Sequence, residues 1–149
     1  MRKLLYCIGI SVFFAACVKK AENKEAEISA VTHSGKTSHS GMYIYEQNGD
    51  TVTLNLTVND GKANGELLYA LKEKDRNSGT FTGEIKDDVL LADYMFRSEG
   101  VLSERQVAFK LTDTTAMEGY GEVQETNGKM EFQDSGKLEY DTGLVLKKK

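Results

Sequence analysis

From residue 42 onward, polar and apolar side chains alternate in short bursts cut by turn-forming residues. The clearest burst is Thr51-Val52-Thr53-Leu54-Asn55-Leu56-Thr57-Val58, where every second residue is apolar through eight positions. A period of two is that of a strand with one buried face. Neighbouring segments follow the pattern less regularly and predict strands near 42–47, 50–58, 63–72, 79–86, 88–97, 104–111, 115–124, 127–133 and 138–146. Asn48-Gly49, Asn59-Asp60-Gly61, Asn77-Ser78-Gly79, Asp113-Thr114, Asn127-Gly128 and Asp134-Ser135-Gly136 punctuate them with turn chemistry.

Connections this short join antiparallel neighbours and cannot make a parallel crossover, so each strand pairs most simply with its predecessor. Roughly eight or nine strands in one open sheet would leave exposed edges, and closure removes them. The expected fold is therefore all-β, a single antiparallel up-and-down β-barrel of lipocalin-like form, with a flattened barrel or two-sheet sandwich as the alternative. The chain has no proline, which suits uninterrupted ladders.

The first forty residues have another texture. Arg2 and Lys3 precede an apolar stretch from Leu4 to Phe14, and Ala15, Ala16 and Cys17 close it. That order is a secretory signal peptide. A spanning helix needs about 20 apolar residues, more than lie here before charge resumes at Lys19 and Lys20. Ordinary cleavage before Cys17 would put bulky Phe14 where a small side chain is required. Phe14-Ala15-Ala16-Cys17 instead resembles the bacterial lipobox, with phenylalanine where leucine is usual. The resemblance implies removal of residues 1–16 and diacylglycerol on the Cys17 thiol. Each buried methylene contributes about 0.8 kcal/mol, so two acyl chains anchor where one would not.

Val18 to Ser40 has few large apolar residues, mixed charge and a Ser/Thr/Gly/His end, and reads as a tether. His33 and His39, the two histidines of the chain, fall in it and read as polar linker residues, since no carboxylate or thiol completes a metal site at ligand spacing. The expected organisation is signal 1–16, lipidated cysteine and tether 17–40, barrel 41–146 and a solvated basic tail 147–149.

Residues 42–146 carry ten Lys or Arg against twenty Asp or Glu, a formal charge of −10. Such a surface repels phosphate backbones and sets nucleic acid aside as a partner. With no cysteine and no histidine expected in the barrel, thiol nucleophiles, Ser-His-Asp relays and His-ligated metals are set aside as well, and the expectation is a protein that is not an enzyme and carries no cofactor or metal. A carboxylate-only glycosidase stays compatible with the composition. Asp75-Arg76-Asn77-Ser78-Gly79 begins like a calcium loop but lacks the third oxygen ligand and the distal glutamate, so it reads as a hairpin turn.

In a meander, alternate loops share a rim, and the loops around Gly49, Asp75, Gly100 and Asn127 would share one. Leu67, Tyr69 and Leu71 have the parity of Glu73, and Val107, Phe109 and Leu111 that of Arg105. Both charges would then continue an apolar inner face into the mouth. Glu73, Asp75, Arg76, Glu99 and Arg105 are the candidate rim residues, over a lining of Tyr69, Phe81, Tyr94 and Phe109. Convergent polar groups above an apolar lining suit a ligand. An Arg–Glu pair plugging a barrel filled by its own side chains is the competing structural reading.

Glu73-Lys74-Asp75-Arg76-Asn77-Ser78-Gly79-Thr80 with Gly83, then Tyr94-Met95-Phe96-Arg97-Ser98-Glu99-Gly100, then Arg105-Gln106-Val107-Ala108-Phe109-Lys110, resembles a pattern recurring in small lipoproteins of Bacteroidota. The resemblance spans most of residues 41–123; it implies an envelope lipoprotein and adds no mechanism.

The expected protein is thus monomeric and membrane-anchored through its N-terminal lipid. Its barrel binds an envelope protein or a small apolar or amphipathic ligand. Val18-Lys19-Lys20 lacks the acidic cluster that often follows the cysteine of surface-exported lipoproteins, which favours the periplasmic face of the outer membrane. Cys17→Ala should move the protein into soluble fractions on cell fractionation; a variant that still partitions with membranes sinks the lipid anchor.

Overall fold

The computed structural model describes residues 38–149 apart from Thr142. The expected signal, Cys17 and His33 lie outside the described residues. Ten strands follow in order: β1 (Gly41–Gln47), β2 (Asp50–Asn59), β3 (Lys62–Ala70), β4 (Asn77–Lys86), β5 (Val89–Ser98), β6 (Val101–Leu111), β7 (Thr115–Gly119), β8 (Val123–Thr126), β9 (Lys129–Phe132) and β10 (Val145–Lys148). A single 3-10 turn, Ser135–Lys137, precedes β10.

Strands β1 to β7 form the expected meander, and β10 inserts antiparallel between β7 and β1 to close an eight-stranded barrel. The left-handed residues Asn48, Gly49, Asp60, Gly61, Asp87 and Asp88 make the tight reversals. The departure from a pure meander comes after β7. The predicted strand 115–124 stops at Gly119 and resumes as β8, and the predicted strand 138–146 is reduced to a Tyr120–Glu139 bridge followed by β10. Packing explains the interruption, because the Tyr140 ring lies where a Cβ at Gly119 would stand and holds the returning chain against the outside of the wall. β10 also takes in Lys147 and Lys148, two of the three lysines expected in a solvated tail. The Lys148 ammonium sits 5.5 Å from the Tyr43 ring centre and donates to the Ser38 carbonyl at 3.0 Å.

Cross-strand register fixes what fills the interior. Tyr43 faces Leu54, which faces Leu67, while Leu56, Gly65, Phe81, Tyr94 and Arg105 form a second row across five strands. Tyr43, Val52, Leu54, Leu67, Phe81, Leu90, Phe109 and Leu146 are all buried, so the barrel is packed through its body. Gly65 is required in that row, since a Cβ there would strike the Asn55 carbonyl oxygen and crowd the Phe81 ring.

The end opposite the β3–β4 loop is sealed by the segment that leads into β1. His39 is only 6% exposed, with Nε2 3.0 Å from Asp88 Oδ1. Its carbonyl accepts the Tyr43 hydroxyl at 2.8 Å, and the Ser40 hydroxyl oxygen accepts the Val58 N–H at 2.9 Å. This corrects the expectation of a folded domain without histidine, and with it the dismissal of enzymatic chemistry that rested on that absence. Strand alternation begins after residue 40, but packing against the barrel begins before it.

The β8–β9 hairpin lies outside the barrel, with β9 parallel to β6 at Glu104 and Arg105. Lys129 holds it there, reaching Asp93 at 2.7 Å, Glu131 at 3.1 Å and Glu104 at 3.9 Å, while the Phe132 N–H donates to Gln106 Oε1 at 3.1 Å. Lys129→Met should cost about 1 kcal/mol of global stability, as partly exposed ion pairs do, yet accelerate amide exchange at Phe132 well beyond exchange in β2 and β3. Uniform acceleration, or none, would show that the hairpin does not depend on this lysine.

Candidate functional site at the barrel mouth

At the end bearing the β3–β4 loop, the packed interior gives way to a cavity of about 510 Å³. Tyr69, Leu71 and Asn77 line it from the β3–β4 side, and Arg105, Glu118 and Leu144 from across the barrel. Arg105 is carried inward because β6 runs unbroken from Val101, so its alternation holds to the rim. Tyr94 faces it on β5 and Met130 faces it on β9, clamping its backbone from both sides.

The guanidinium is seated on aromatic faces. Its carbon lies 4.9 Å from the Tyr69 ring centre, 5.6 Å from Phe96 and 5.8 Å from Tyr94, and Tyr94 and Phe96 stack on one another at 4.9 Å. Such cation–π contacts are worth about 2 kcal/mol when desolvated. The Tyr94 hydroxyl donates to the Leu67 carbonyl at 2.8 Å, and burial pushes its pKa up to about 12 against the opposing pull of Arg105.

Glu118 is the second charged group, and it is 6% exposed. Its backbone N–H donates to the Leu144 carbonyl at 2.9 Å, which fixes the end of β7. Its side chain takes the Tyr69 hydroxyl at 2.6 Å on Oε1 and the Tyr120 hydroxyl at 2.9 Å on Oε2. Burial pushes the carboxyl above its ordinary 4.5, while the two hydroxyls and Arg105 pull it down. Both tyrosines answer in kind: Tyr69 is driven well above its ordinary value by burial and then by Glu118, and Tyr120 upward by the same two causes.

Among the described residues three buried side-chain nitrogen or oxygen atoms have no hydrogen-bond partner: His39 Nδ1, Asn77 Oδ1 and Arg105 Nε. The last two belong to residues that line this one cavity. A larger hollow, about 950 Å³, lies outside the barrel between Tyr120 and Lys137, but every residue lining it is exposed. No group of three or more His, Cys, Asp and Glu side chains among the described residues could hold a metal ion.

The residues singled out in the sequence divide sharply. Arg105, Tyr69 and Tyr94 meet at the mouth, and Asp75 lines its outer lip. Phe81 and Phe109 lie deeper and belong to the packed core. Glu73, Arg76 and Glu99 are exposed and do not line the cavity. Glu73 has φ near +60° in the turn after β3, so the strand's alternation ends before reaching it. Glu118 takes the place expected of Glu73. Its signal was the alternation Ala116, Glu118, Tyr120, which places a carboxylate on an inner parity.

No family model, curated protein or solved structure matches the chain.

A carboxyl whose pKa is raised by folding holds its proton more tightly in the folded chain. Its contribution to stability is therefore complete below about 4.5, the ordinary value, and is lost as pH rises through the folded pKa. Glu118→Gln should remove that decline: in urea unfolding from pH 4 to 8, the stability of wild type relative to the variant should fall with rising pH. A difference that does not change with pH would contradict the raised pKa.

Proposed function

We propose that the chain is an envelope lipoprotein, anchored through acylated Cys17 at the periplasmic face of the outer membrane, whose barrel mouth holds a small amphipathic ligand. One observation carries the reading: in a barrel packed through its body, two residues that line the cavity at the mouth, Arg105 and Asn77, each hold a buried polar atom without a partner. Unpaired buried polar groups cost about 1–3 kcal/mol each, a cost a ligand would offset. Leu71 and Leu144 supply apolar walls beside them.

The described end of the expected tether supports the same arrangement: His39 and Ser40 pack at the barrel end opposite the cavity, and Cys17 precedes them in the chain. Twenty-odd intervening residues span at most about 75 Å when extended. A second reading draws on Val101 and Leu102, which are exposed at the tip of the β5–β6 hairpin on the same rim, and makes the mouth a docking point for an envelope protein.

Native mass spectrometry of the full chain, purified gently from a bacterial envelope, should show a reproducible extra mass that is absent from Arg105→Leu. Arg105→Lys, which keeps the charge without the planar fork, checks that the loss is not one of folding. A bare mass for wild type across several preparations would overturn the ligand reading and turn attention to protein partners.

A further inference from the structure

Resting on that reading of the mouth, the geometry points to an uncharged amide as the group it recognises, one donor and one acceptor flanked by short alkyl substituents.

The charges come first. Arg105 shares the cavity with Glu118, and at the outer lip Lys74 is matched by Asp75. The signs balance. A carboxylate or phosphate drawn to Arg105 would lie in the field of Glu118, whose own burial leaves it weakly screened. A ligand cation is no better served, because both Glu118 oxygens already accept hydroxyls from Tyr69 and Tyr120. The carboxylate is committed to the wall.

Hydrogen-bonding capacity makes the same selection. The Arg105 guanidinium carbon lies over the Tyr69 and Phe96 rings, and its Nε–H has no acceptor. Asn77 Oδ1 has no donor. A group complementary to one donor and one acceptor must itself carry an acceptor and a donor, and an amide does so without net charge. A carboxylate has acceptors only and would leave Asn77 Oδ1 unsatisfied. The alkyl flanks of an amide fit the walls of Leu71 and Leu144. A site built to hydrogen-bond in this way discriminates strongly, since a ligand lacking one partner leaves a buried group unpaired.

The test is an NMR titration at pH 7 of the full chain in maltoside detergent, following the Arg105 Nε–H resonance, which Arg105→Lys removes and so assigns. Four probes are compared: propionamide, N-acetylalanine N-methylamide, propionate and inorganic phosphate. An amide should move the resonance saturably with a Kd at least tenfold below those of propionate and phosphate. The tighter amide distinguishes a free carboxamide from a peptide backbone as the source. Asn77→Leu should raise that Kd at least fivefold while its melting temperature confirms that it folds. Propionate or phosphate binding as tightly as the amides overturns the inference, as does a resonance that none of the four moves. If the amides fail while an extra mass still copurifies, the inference falls and the ligand site stands. A bare chain that nevertheless binds an amide upholds the inference and overturns only the expectation that the ligand copurifies.

Discussion

Four residues close this barrel. Val145–Lys148 pairs with β7 through Met117, Ala116 and Thr115 on one side and with β1 through Tyr43 and Ile44 on the other. Without that strand β1 and β7 would present two unpaired edges, and the inner parity of both would face water. Leu146 inserts from it into the core with no exposure at all. Leu144, just before the strand, builds the mouth as well, because its carbonyl receives the Glu118 N–H and its side chain walls the cavity. Closure and the mouth are built by one stretch of chain.

The seam beside it is uneven, and that unevenness positions Arg105. β6 has eleven residues and β7 has five, so β7 covers β6 only from Ala108 to Leu111. The remaining edge of β6 takes β9 in parallel at Glu104 and Arg105. A parallel pair needs a long connection, which the excursion through β8 supplies. The guanidinium consequently rests on a backbone paired on both sides, the rigid support that a recognition group would need. A loop-borne arginine would lose far more freedom on holding a ligand.

Legibility in the sequence followed the length of regular strand. Thr51–Val58 alternates within a strand of ten residues, and its register is as the alternation requires. Arg105 was placed inward by parity alone, because no irregular residue separates it from Phe109. Glu73 failed by the same rule, since a left-handed φ resets the chain there. The Tyr69–Glu118 bond joins residues 49 apart, and no local pattern carries that information. Closure was expected from the number of strands, but the bounds of the closing strand were not legible: Leu146 is the one buried residue of a four-residue strand, too short to show a period. His39 was misplaced because composition marks where alternation starts, and packing by a single ring needs none.

The two charged groups at the mouth bear on why the barrel is built this way. Arg105 rests on three rings and Glu118 on two hydroxyls, so each has separate support from the protein. Such an arrangement is costly. Hydrophobic residues of similar volume commonly replace buried charged groups with no loss of stability, or with a gain. The body of this barrel follows that rule, with Tyr43, Phe81 and Phe109 packed among leucines and valines. The mouth breaks it at a single place, where desolvated charge, aromatic faces and unpaired polar atoms coincide. Sequences agree with their fold across most levels and depart from it where a site demands the departure. By that argument the cost is confined to the one end where a site would use it, and the packed body of the barrel is the rigid frame that sustains such a mouth.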